Sequence, residues 1–318
     1  MSAVLLFGIF FALLFLNVPI AMSLGVSSII TTMAVKPAMM STIAANLYSS
    51  TNTYVLLAIP FFILAGNIMD VSGISVRLIN FFNSLVGHTK HGTAMVCVIV
   101  ACFFAAISGS GPATVAALGG ILIPAMSKSG YEKDTSAALM STAGAIGIVI
   151  PPSITFVVYG SVTGTSVGDL FMAGIIPGIL IGVAIYFTMV ISSRGCNLVR
   201  QPKASGKERW KAFGDAVWGI LMPVIILGGI YGGIFTPTEA AAVSAIYGLI
   251  VGMFIYKTLR FKEIVVILRQ SVSQTAVGML IIGCAAVFGK VLTFTGLASD
   301  ASQSLISIAC LLYTSPSP

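Results

Sequence analysis

Eight stretches of this chain contain no Asp, Glu, Lys or Arg: 1–35, 37–69, 91–127, 135–168, 170–193, 216–238, 240–256 and 270–289. Each approaches or exceeds the ~18–20 apolar residues that carry a helix across a bilayer. Such spacing confines the chain to a polytopic membrane fold, in which every backbone N–H and C=O within the hydrocarbon must bond internally. An all-α architecture is therefore expected, with helices at about 3–17, 19–34, 55–70, 135–163 (broken), 170–193, 217–234, 240–256 and 274–293. Charged residues form only 8% of the chain and hydrophobic ones 57%, whereas soluble domains carry about 25% charge. Met1 runs straight into apolar residues without a basic leader, so the first span is expected to be retained.

The net charge of +7 reads as topology, because the cations sit between spans. Arg194, Arg200, Lys203, Lys207, Arg209 and Lys211 cluster in 194–211 against one acid, Glu208, which places that loop in the cytoplasm by the positive-inside rule. Threading outward from there puts Arg77, Lys90, Lys128, Lys133, Lys257, Arg260, Lys262 and Arg269 on the same side. Two stretches, 75–90 and 257–270, set basic residues opposite an apolar face. Both suit helices lying along the headgroups, ordinary loops being the alternative. The five cysteines (97, 102, 196, 284, 310) lack ligand-like pairing and read as small packing residues.

Three clusters could carry chemistry. Ser108-Gly109-Ser110-Gly111-Pro112-Ala113-Thr114 breaks an apolar run, since Gly and Pro interrupt a helix. Irregular backbone survives at membrane depth only inside protein or beside water, so 93–108 and 112–127 are expected to form a re-entrant helical hairpin. Its freed carbonyls and hydroxyls suit a hard cation such as Na+, and the N–H groups opening the next helix suit an anion. Close helix packing through small residues is the plainer alternative. The second cluster, 144–164, holds Gly147 and then Pro151-Pro152-Ser153. Two prolines in mid-span remove two donors, leaving either a kink or an unwound, ligand-lining segment. The third, Phe235-Thr236-Pro237-Thr238-Glu239, reads chiefly as a helix cap with Pro in the first turn.

No acid lies between Val71 and Tyr131, nor from Thr135 to Gly168. Proton-coupled carriers need a titratable group in the pathway, so hydroxyls, carbonyls and helix ends point to sodium coupling and an anionic substrate. His88 and His91 lie beside Lys90, a poor setting for a metal. No nucleophile elbow, phosphate loop or metalloprotease motif occurs, and nothing supports an enzyme.

An internal repeat runs through the chain. AGNIMDVSGIS at 65–75 matches FGKVLTFTGLAS from Phe288 at an offset of 223, pairing Gly66 with Gly289, Ser72 with Thr295 and Gly73 with Gly296. NVPIAMSLG at 17–25 pairs with FTPTEAAAV at 235–243. The threading orients helices 19–34 and 240–256 oppositely, which is the inverted-repeat design of many secondary transporters. A second hairpin would begin near residue 331, beyond the end of the sequence. The second repeat is thus expected to be incomplete, with 309–318 a non-native tail.

LAIPFFILAGNIMD, AAISGSGPATVAALGGILIPAM, GIVIPPSITFVVYGSVTG with DLFMAGIIPG, and GIYGGIFTPTEAAAVSA together resemble the large membrane subunit of TRAP (tripartite ATP-independent periplasmic) transporters, from about Asn17 to Ser304. The resemblance implies a sodium-driven importer of organic acids such as C4-dicarboxylates or sialic acid. It implies two partners, a small four-helix membrane subunit and a periplasmic substrate-binding protein, and a bacterial or archaeal inner membrane. It further implies an elevator-type inverted-repeat fold: scaffold helices in 1–70 and 169–256, an interfacial arm at 71–92, a transport domain at 93–168, and the start of a second transport half at 257–308. Carried onto this sequence, Ser108, Gly109, Ser110, Gly147, Pro151 and Pro152 would bind Na+, while Ser110, Gly111, Pro112, Thr114 and Ser153 would bind substrate. Two alternatives stand beside this: an inverted-repeat anion carrier needing no binding protein, and a non-transporting membrane scaffold.

Overall fold

A computed structural model describes residues 2–296. Among them the secondary structure is helical throughout: α1 (Ser2–Phe15), α2 (Ile20–Val35), α3 (Met40–Thr51), α4 (Ala58–Val71), α5 (Ile74–Val86), α6 (Gly92–Ser108), α7 (Gly111–Lys128), α8 (Lys133–Ala145), α9 (Ile154–Thr163), α10 (Val167–Ser192), α11 (Gly206–Tyr231), α12 (Pro237–Ile250) and α13 (Phe261–Phe294). Five helical segments are long and apolar enough to cross a membrane: Tyr54–Val71, Val167–Ser192, Gly206–Tyr231, Pro237–Ile255 and Phe261–Phe294. The expected polytopic helical class is therefore observed. The proposed tail at 309–318 lies outside the described residues.

The chain divides into two compact units, residues 1–53 with 276–318, and residues 54–275. In the first, Leu6, Phe288 and Val291 form a buried core that Phe7, Phe10, Leu24 and Leu292 cover. Phe7 meets Phe288 edge-on at 5.7 Å. In the second, α4 packs on α12, α5 on α11, and α6 on α7, α8 and α10. Ile68, Leu259 and Ile267 bury one another there, with Leu64, Leu249 and Met253 around them. Cys97 and Cys284 are buried, and the four described cysteines are free thiols, as their spacing implied. Cys310 lies outside the described residues.

Residues 40–51, outside the helices expected from sequence, form α3. Two sequence expectations need correction. The basic segment 194–211 is a loop only to Ser205. That serine caps α11 from outside, its hydroxyl accepting from Glu208 N–H while the Glu208 carboxylate accepts from Ser205 N–H (2.7 Å), so Lys207, Arg209 and Lys211 ride on a helix. Residues 257–270 are not a separate element: from Phe261 they enter the 34-residue α13. No Gly or Pro lies between 261 and 277, and a change of polarity alone does not end a helix.

Two helix ends that the sequence match pairs share a local geometry. Gly73 (φ +70°) and Gly296 (φ +73°) are both left-handed. Just before them, Ser72 Oγ donates to Met69 O (3.0 Å) and Thr295 Oγ1 to Leu292 O (2.9 Å). Two helices 223 residues apart thus end in the same turn.

Candidate functional site

The hairpin tip is two residues long. α6 ends at Gly109, left-handed at φ +61°, whose N–H closes onto Ala105 O at 2.9 Å. Glycine takes that conformation without the Cβ clash that penalises other residues. Ser110 is extended and caps α7, its hydroxyl 3.5 Å from Ala113 N, with Pro112 in the first turn. Thr114 Oγ1 donates to Ser110 O at 2.9 Å and lies 3.2 Å from Ser108 Oγ. The expected break is therefore present: carbonyl-rich and N–H-rich helix ends meet within a few residues.

The second cluster docks on this tip. α8 tightens into a 3-10 turn at Ile146–Ile148, and the chain runs irregularly to Ser153 before α9 begins. Ser153 Oγ donates to Ile148 O at 2.6 Å. Ile154 N–H, at the start of α9, donates across to Gly109 O at 3.2 Å. A Cβ on Gly111 would stand 2.9 Å from Gly144 O, so the starts of α7 and the end of α8 touch backbone to backbone. The ideal Cβ of Gly147 lies 3.3 Å from Gly111 N. Ser108–Thr114 and Gly147–Ser153, predicted as neighbours, do converge.

Beside the tip is a cavity of about 690 Å³. Ser108, Ser110 and Pro112 line it, whereas Gly109, Gly111, Thr114, Gly147, Pro151, Pro152 and Ser153 do not. The opposite wall is Asn67 and Asp70 of α4 with Gln270, Ser273 and Gln274 of α13. Asn67 Nδ2 donates to Ser271 Oγ (2.9 Å) and Gln274 Oε1 (3.0 Å), fastening the two helices. Sequence reasoning missed this wall. The available signal was Asn67 and Asp70, three apart at the end of an otherwise charge-free span, since intramembrane polar groups mark pathways. The acid-free site inferred from sequence is thus corrected: among the described residues one carboxylate, Asp70, faces the same space as the tip serines, and no Lys or Arg lines it.

The third cluster is a cap, as expected. Glu239 Oε2 accepts from Thr236 N–H and hydroxyl, both at 2.8 Å, and Pro237 opens α12. At the ends of α6, α7 and α10, His91 Nδ1 lies within hydrogen-bond distance of Tyr131 Oη (3.3 Å) and Ser193 Oγ (3.2 Å). Among the described residues no cluster of three or more His, Cys, Asp or Glu side chains could hold a metal.

Comparison with known proteins assigns the sequence to a family. The profile of the family described as "Tripartite ATP-independent periplasmic transporter, DctM component" matches residues 7–312. The chain belongs to the DctM family of TRAP transporters. It is 38% identical over 321 residues to the C4-dicarboxylate TRAP transporter large permease protein of Rhodobacter capsulatus, covering 96% of this chain and 73% of the relative. It is 44% identical to the protein of the same description from Pseudomonas aeruginosa, over 92% of this chain and 68% of the relative. To the sialic acid TRAP transporter large permease of Vibrio cholerae it is 37% identical, over 87% and 65%. The TRAP large-permease family is a transporter class, not an enzyme class, and its members are integral membrane proteins.

Proposed function

We propose that this chain is the tip-bearing part of a sodium-coupled importer of organic acids, working in the inner membrane with a small membrane subunit and a periplasmic binding protein. The bond from Ile154 N–H to Gly109 O carries the reading, because it joins the ends of α6, α7 and α9 at one cavity, with the end of α8 packed behind α7. The N-terminal ends of α7 and α9 supply a positive field for a carboxylate. The carbonyls ending α6 and α8 supply oxygens for a hard cation. In this reading Ser108, Gly109, Ser110, Gly147, Pro151 and Pro152 hold Na+, and Ser110, Gly111, Pro112, Thr114 and Ser153 hold the substrate. The hairpin and the broken helix would move as the transport body of an elevator, between scaffold helices related by an inverted repeat. The relatives' names give C4-dicarboxylates and sialic acid as the substrate classes to try first.

Asp70 favours a second reading, in which a proton replaces Na+ as the coupling ion. The full-length protein, reconstituted with its small subunit and binding protein, separates the two. Uptake that vanishes when potassium replaces sodium at constant pH supports sodium coupling. Uptake driven equally in potassium by an inward proton gradient, and lost in Asp70→Asn, supports the proton. Uptake without any binding protein would reject the tripartite arrangement.

A further inference from the structure

The groove between α5 and α11 holds a cation without a counter-ion among the described residues. Phe81 and Leu85 of α5 and Gly206, Arg209, Trp210 and Phe213 of α11 line an open groove of about 270 Å³. The aromatic wall is continuous: Phe81 and Phe213 centroids are 5.5 Å apart, and Trp210 meets Phe213 edge-on at 5.9 Å. Within it, Nε and Nη2 of Arg209 are shielded from solvent and bond to nothing among the described residues. The adjacent acid, Glu208, is committed to the cap at Ser205, and no carboxylate lines the groove. The guanidinium is cationic and only partly covered, yet its two shielded nitrogens have given up water for no protein acceptor, which is unfavourable for hydrogen-bond donors.

We infer that this groove binds an anionic phospholipid, its phosphate on Arg209 and an acyl chain along Phe81, Leu85 and Phe213. Charge and shape select that occupant together. Guanidinium and phosphate form short, charge-assisted hydrogen bonds, and the remaining wall is apolar, which suits a chain and not a free ion. Trp210, 76% exposed at the groove mouth, has the amphipathic ring that collects at the headgroup level. Arg200, Lys203 and Lys211, near it in sequence, raise the local concentration of anionic lipid. Transport plays no part in the inference.

The test uses the full-length protein in nanodiscs of phosphatidylcholine with or without phosphatidylglycerol. Lipid retention is read by native mass spectrometry after detergent extraction, and melting temperature in the discs. Wild type should keep a phosphatidylglycerol adduct and melt higher with it. Arg209→Gln should retain it roughly ten- to hundredfold less, the loss of one or two charge-assisted bonds. Lys207→Gln, roughly 200° around α11 from Arg209 and outside the groove, should retain it as wild type does. Equal retention of both lipids by wild type, or undiminished retention by Arg209→Gln, overturns the site. So does displacement of the adduct by inorganic phosphate alone, which would mark a simple anion site. Protection of the groove only by the small subunit would instead assign it to protein packing. If Arg209→Gln does not fold, the phosphatidylglycerol-against-phosphatidylcholine comparison in wild type still decides.

Discussion

Replacing Gly109 by Ala tests whether the hairpin tip and the broken helix form one body. Two penalties add. The left-handed backbone at φ +61° costs a Cβ-bearing residue about 1–2 kcal/mol. The new methyl would lie 2.8 Å from the carbonyl oxygen of Pro152, a backbone atom that cannot rotate away, and overpacking of this kind costs about 1–3 kcal/mol. Gly164 supplies the control: its φ is +72°, yet no atom lies within 4 Å of its ideal Cβ. Gly164→Ala should therefore incur only the backbone penalty. The difference of about 1–3 kcal/mol corresponds to a gap of about 2–12 °C in melting temperature, at about 2–4 °C per kcal/mol. Thermal unfolding of both variants in the same detergent, scanned at the same rate, measures it. Equal losses would show that Gly109 does not abut Pro152, and the convergence of the two breaks would be refuted with it.

Two further outcomes are expected. Asn67→Leu removes both bonds to α13 and leaves Ser271 and Gln274 without that partner, so it should destabilise the protein by about 1–2 kcal/mol, read as a melting shift; Asn67→Gln should recover part of it, and no shift at all would deny the latch. Burial, aided by Lys90, holds His91 below the usual imidazole range. The unfolded chain then takes up the proton first, so stability is full above about pH 6.5 and falls as the pH drops from there toward the folded pKa. Melting temperatures across that window should decline in wild type and flatten in His91→Gln, whereas identical profiles would contradict the assignment.

Legibility differed between the two walls of the cavity. The tip was readable because its signals are adjacent in sequence: a left-handed glycine, a serine cap and a proline in one five-residue run define two helix ends. The same holds for Pro151-Pro152-Ser153 and for the Thr236 cap, whose partner Glu239 is three residues away. The facing wall was not readable. Asn67 meets Ser271 across 204 positions, and nothing near either residue announces the other.

Composition and charge spacing by themselves determined that this is a polytopic helical membrane chain, and local breakers determined where its helices stop. Both are short-range matters of solvation and backbone conformation. Tertiary structure decided what faces what: that α13 runs unbroken from Phe261, that Asp70 shares a cavity with Ser108 and Ser110, and that Arg209, beside Phe81, meets no counter-ion among the described residues. Those outcomes depend on how helices distant in sequence pack, since packing selects which face of each helix is buried and which polar groups meet.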